Sequence, residues 1–211
     1  MRSRLAGFAI LGIAGVVLLG WAVGNWILAQ PFTDAERYLG PVLLLSPLMI
    51  ACIIGVGTSS PFGDAEITSC FPLPLLRFGH LTILLIWALL TLTLTTITWN
   101  SDYAGWVLVR NVLGFTGLTL VAARLIGSHL SWMVPFTYYA AAVFAGRSEF
   151  TEGSGSDVFT RILGEVPVGE WERWAWPMRP NTDYLSWICA LALLILGLAY
   201  VSFLGAKGSR E

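Results

Sequence analysis

Residues 185–204, LSWICALALLILGLAYVSFL, run for twenty positions without a charged side chain. Wound as an α-helix at about 1.5 Å per residue, they span about 30 Å, the thickness of a bilayer's hydrocarbon core. Helices of water-soluble proteins average about 10–14 residues and keep a polar face. This run is apolar all round, so it predicts a membrane-crossing helix.

Five stretches toward the N-terminus meet the same test of length and polarity: 5–29, 40–58, 79–99, 104–125 and 130–146. The fifth holds Pro135 and is expected to kink or tilt. Arg2 and Arg4 ahead of the first stretch resemble the start of a secretory signal. The apolar run behind them is too long for a signal core, so a retained membrane anchor is expected. Composition agrees with six spans. The 211 residues include 12 Lys and Arg and 13 Asp and Glu, a charged fraction of 12% against about 25% in soluble domains. So few charges cannot cover a water-exposed globule of this size, and the 56% hydrophobic content excludes a disordered chain. Of three cysteines, Cys52 and Cys189 fall in apolar runs and Cys70 in a polar connection, without the spacing of a metal site or a disulfide framework. The expected fold is all-α: one polytopic membrane domain over residues 1–211 with six transmembrane helices.

Basic residues orient the spans. With the N-terminus inside, Arg2, Arg4, Arg77, Arg124, Lys207 and Arg210 face the cytoplasm against Asp64, Glu66 and Glu211, a net +3. Arg37, Arg147, Arg161, Arg173 and Arg179 lie outside among ten acids, a net −5. Both termini are therefore expected in the cytoplasm.

Two connections are long. The internal one, 59–78, begins with Ser60 as an N-cap and Pro61 in the first turn, with Asp64 and Glu66 at the positive helix end. Pro72 and Pro74 are expected to stop it, leaving a cytoplasmic helix of about ten residues suited to docking a partner. The external segment, 147–184, contains two helix-like pieces. Val158, Phe159, Ile162 and Leu163 share a face of the first. The second sets Trp171, Trp174 and Trp176 among Glu170, Glu172 and Arg173. Rings interleaved with charge suit a short interfacial helix between spans five and six, acting as an anchor or as a lid over an exit path.

Inside the spans, Arg110 and Asn111 stand out. A charge within a span marks a functional site, although a residue about 9 Å from the span's end can also snorkel to the interface or make a structural hydrogen bond. Thr91, Thr95 and Thr98 form one face of the third span with Trp87. Their hydroxyls either return to their own helix or line a polar path. Gly20 with Gly24, and Gly114 with Gly117, permit close helix approach. His80 and His129 each stand alone near span ends, so no metal or haem ligation is expected. The spans contain neither Asp nor Glu, which argues against a proton relay or an intramembrane protease. No phosphate-binding Gly-x-x-x-x-Gly-Lys-Ser/Thr loop is present, so the chain is not expected to be an enzyme or to hydrolyse ATP.

The layout, together with the stretch Pro61-Phe-Gly-Asp-Ala-Glu66 leading to Arg77-Phe-Gly-His80, resembles the membrane-spanning subunit of ABC exporters of the second permease type. The phrases Arg110-Asn111-Val-Leu-Gly114, Ser131-Trp-Met-Val-Pro135 and Trp174-Ala-Trp-Pro177 look like small actinobacterial permease-like chains that work with a separate ATPase. The resemblance implies that Asp64, Glu66, Ile67, Cys70 and Arg77 couple the chain to cytoplasmic ATPase subunits carrying ATP and Mg. It also implies a second permease chain, as homo- or heterodimer, in the bacterial cytoplasmic membrane. Arg110, Asn111, Thr91, Thr95 and Thr98 then become substrate-path candidates for an amphiphilic, peptide or lipid-like cargo. The rival expectation is a non-transporting assembly, immunity or regulatory subunit of a larger membrane complex.

Overall fold

The computed structural model describes residues 3–28, 35–58, 73–98, 102–146, 176–178 and 183–204. These form six α-helices: α1 (Ser3–Leu28), α2 (Ala35–Gly57), α3 (Leu73–Thr98), α4 (Asp102–Leu125), α5 (Met133–Gly146) and α6 (Tyr184–Leu204). A single 3-10 turn, Trp176–Met178, precedes α6. Three helices contain stretches long and apolar enough to cross a membrane: Pro74–Leu94, Gly105–Leu125 and Tyr184–Leu204. Shorter apolar stretches, Gly7–Val23 and Leu45–Gly57, occupy α1 and α2.

Polarity is distributed opposite to that of a water-soluble globule. Phe8, Leu11 and Leu19 on α1, Ile83, Ile86 and Leu94 on α3, and Ile188, Ile195 and Phe203 on α6 are all exposed. Arg110, Asn111, Thr116 and Thr119 on α4 and Ser186 and Ser202 on α6 are buried. Exposing large aliphatic side chains in such numbers favours surrounding hydrocarbon over water. The protein is therefore membrane-associated.

The helix α4 is the axis of the bundle. Leu108, Val112 and Leu120 lie one or two turns apart along it. They pack with Ile13 and Val17 of α1, Ile50 and Ile54 of α2, Leu84 and Ala88 of α3, and Leu194 and Val201 of α6. Its tightest partner is α6. A Cβ added at Gly117 would lie 2.5 Å from the Leu193 carbonyl oxygen, and one added at Gly197 would lie 2.6 Å from the Gly117 oxygen. Only a residue without a side chain lets the two backbones touch in this way. Trp106 packs edge-on against Trp187 at 6.4 Å toward the start of both helices. Pairs 106–187 and 117–194 advance together, so α4 and α6 run parallel, and α5 carries the chain back between them. By contrast, Gly12 faces Ile53 and Gly20 faces Ser46, so α1 and α2 run antiparallel.

Two prolines fall in the first turns of helices. The third helix begins at Leu73, with Pro74 in its first turn and Arg77 already helical. The helix thus starts six residues ahead of the expected 79, and the cytoplasmic helix expected before Pro72 lies outside the described residues. Pro135 likewise sits in the first turn of α5, which begins at Met133, and introduces no mid-span kink. In both cases the missing N–H falls where no intrahelical acceptor exists, and the fixed φ already suits a helix. Ahead of α5 the chain turns at Gly127, whose φ of 101° is a left-handed conformation that glycine adopts without strain. Ser131 then donates its hydroxyl to the Ser128 carbonyl at 2.8 Å, bracing the turn.

Candidate functional site

Arg110, Asn111, Gly114 and Phe115 lie at i, i+1, i+4 and i+5, and so form one patch on α4. The 3-10 turn Trp176–Met178 is inserted against this patch. Arg110 Nη2 donates to the Pro177 carbonyl at 3.2 Å, and Asn111 Nδ2 donates to the same oxygen at 3.1 Å. Arg110 Nε also reaches Asn111 Oδ1 at 3.4 Å, which aligns the two donors. Both side chains are 0% exposed. A backbone carbonyl carried into a dry interior needs a donor, and a buried guanidinium needs acceptors. Each supplies part of what the other requires.

One turn farther along α4 sits the Trp176 indole, 6% exposed. Its ring lies 5.3 Å from Phe115, tilted by 49°, and 6.1 Å from Tyr138, nearly parallel at 20°. Leu48 and Ala51 of α2, Ala190 of α6, and the partly buried Cys52 and Tyr139 complete the enclosure. Gly114 is its floor: an added Cβ would come within 2.7 Å of indole Cζ2 and 2.8 Å of Cζ3. Gly114 is therefore not a helix-contact glycine like Gly117; its missing side chain is space taken by the indole.

Depth follows from helix geometry. Gly114 lies eight residues beyond Trp106, hence about 12 Å deeper along α4. Trp106 is largely exposed and paired with Trp187 near the end where α4 and α6 begin. Trp176 thus sits against the middle of α4.

The remaining candidates are dispersed. Thr91 is half-buried on α3, and its hydroxyl returns to the Trp87 and Ala88 carbonyls at 2.9 and 3.0 Å. Trp87 instead ties α3 to α1, donating Nε1–H to the Ile10 carbonyl at 3.3 Å. Thr95 and Thr98 belong to α3, but their side chains lie outside the described residues, as do Asp64, Glu66, Ile67, Cys70, Trp171 and Trp174. Arg77 is half-buried in the first turns of α3. Deeper polar groups mostly serve their own backbone: Thr119 donates to the Phe115 carbonyl at 2.7 Å and Thr58 to that of Gly55 at 2.6 Å. Among the described residues, the buried Thr116 and Ser202 hydroxyls have no hydrogen-bond partner, and no group of three His, Cys, Asp or Glu side chains converges.

Of the residues singled out by sequence, the structure unites Arg110, Asn111 and Trp176. Sequence reasoning missed the Pro177 carbonyl, Tyr138 and the role of Gly114. The available signal was a glycine one turn beyond an arginine in an apolar run. No family model, curated protein or solved structure matches the chain.

Proposed function

We propose that the chain is a multi-pass subunit of the bacterial cytoplasmic membrane, with six crossings and both termini inside. In this reading it forms the membrane part of an ATP-driven exporter for an amphiphilic, peptide or lipid-like substrate. A second permease chain and separate ATPase subunits complete the complex. The observation that carries the reading is Trp176–Pro177, set into the middle of α4. A segment serving only as an anchor rests at the interface, about 5–10 Å deep. Non-helical backbone at mid-membrane depth is the way transport proteins build a site at the bilayer centre. ATP-driven motion would enter through the 59–78 connection, where Asp64, Glu66, Ile67 and Cys70 precede Arg77 on α3, and would pass to the bundle as rigid-body rocking of helices.

A second reading, a static assembly or regulatory subunit, draws support from the hydroxyls of Thr91, Thr119 and Ser131, which are satisfied by nearby backbone. Co-expression of the tagged chain with its neighbouring genes separates the two. The exporter reading expects an ATPase to copurify and its activity to fall several-fold in Glu66→Ala and Arg77→Ala. Absence of a copurifying ATPase, with cellular activity unchanged by Glu66→Ala, leaves the static reading.

A further inference from the structure

Trp176 and Pro177 present two chemical features to the bundle. One is a flat aromatic ring in an apolar slot; the other is an acceptor oxygen placed between the donors of Arg110 and Asn111. The slot is lined by side chains of four helices, among them Ala51, Phe115, Tyr138 and Ala190. The two donors stand one turn away on the same face of α4. Aromatic contacts at offset or tilted geometry contribute about 0.5–1.5 kcal/mol beyond burial, and hydrogen bonds from a charged donor are about twice as strong as neutral ones. None of these interactions depends on the ring and the oxygen belonging to this chain.

We propose that the Trp176 slot is a ligand site and that Trp176–Pro177 is a built-in stand-in for the ligand. The ligand is an amphiphile that joins a planar aromatic ring to a carbonyl or carboxylate oxygen. Its ring replaces the indole on Gly114 and Phe115, and its oxygen replaces the Pro177 carbonyl at Arg110 and Asn111. A bulkier aliphatic body without a flat ring fits poorly, because the indole already rests directly on the Gly114 backbone and stacks on Tyr138. This assignment deepens the transport reading and rests on it for its purpose. Binding itself needs neither ATPase nor partner chain, so the two can fail separately.

The test is photolabelling of the full chain in lipid nanodiscs with decanoyl-tryptophan carrying a diazirine in its acyl chain. Labelled peptides are mapped by mass spectrometry. Wild type is expected to label saturably within α4 and α5. Trp176→Ala is expected to label at roughly tenfold lower probe concentration, because the internal competitor that reduces the competent fraction is gone. Ala51→Phe, which fills the slot and leaves the donors in place, is expected to abolish labelling. Unlabelled decanoyl-tryptophan and a short peptide ending in tryptophan serve as competitors, and whichever displaces the probe identifies a lipid-like or a peptide source. Labelling of Trp176→Ala alone would mean that the indole is a permanent core residue, which overturns the proposal. Labelling of neither protein, indifference to Ala51→Phe, or failure of both competitors overturns it as well. Should Trp176→Ala not fold, wild type against Ala51→Phe decides alone.

Discussion

Asn111 and Gly114 sit on one face of α4, three residues apart, and fail in different ways when replaced. Asn111→Leu keeps the size and removes the donor, leaving the Pro177 carbonyl with Arg110 alone. An under-satisfied buried polar group costs about 1–3 kcal/mol. Gly114→Ala keeps every hydrogen bond and puts a methyl where the indole edge lies. Either the ring leaves the slot or the turn shifts, at a cost of about 1–3 kcal/mol. Both variants are expected to unfold at lower temperature in detergent. Only Gly114→Ala should also raise the accessibility of the indole, read as acrylamide quenching of a variant in which the other tryptophans are replaced by phenylalanine. Equal quenching of the two variants would remove Gly114 from its role as floor of the slot.

At the scale of elements, the parallel pair α4 and α6 depends on two glycines that face each other's backbone. Membrane helices gain little from burying apolar surface against one another, because lipid is equally apolar, so close van der Waals approach carries their association. Gly117→Ala and Gly197→Ala should each push the helices apart, with losses at or above the roughly 1–3 kcal/mol of an overpacked core. Gly7→Ala and Gly15→Ala on α1 meet nothing within 4 Å and should be neutral within about 0.5 kcal/mol. Thermal unfolding of the four variants side by side gives the comparison. A neutral Gly117→Ala would contradict the crossing.

For the whole molecule, the relevant quantity is where each connection meets water. Six crossings with both ends inside predict a definite labelling pattern. In a variant with Cys52, Cys70 and Cys189 replaced by serine, a cysteine introduced at Ser154 should react with a membrane-impermeant thiol reagent in intact cells. One introduced at Ser209 should react only after the membrane is opened. Reaction of both from the outside would reduce the number of crossings and dismiss the inward C-terminus.

The membrane association of this protein, the six α-helices of the described residues and the C-terminal end of each are legible in sequence, whereas α2 and α3 start five and six residues ahead of the expected 40 and 79. The legible features depend on local quantities: the length of an apolar run, the scarcity of charge and the presence of turn residues. Pro135 sets no mid-span kink because a proline's effect depends on whether it falls in a first turn or farther along, and an apolar pattern does not locate the first turn to within two residues. Arg110 was legible as an anomaly but not as a partner. Its acceptor, the Pro177 carbonyl, is backbone 67 residues away, and backbone leaves no mark in a sequence. The same holds for Gly114 and Gly117, which look alike in the chain and differ in function because one faces an indole and the other a helix. Local chemistry determined which segments form long apolar helices. Only the three-dimensional packing decided which of their polar and empty positions meet, since each meeting joins residues far apart in the chain.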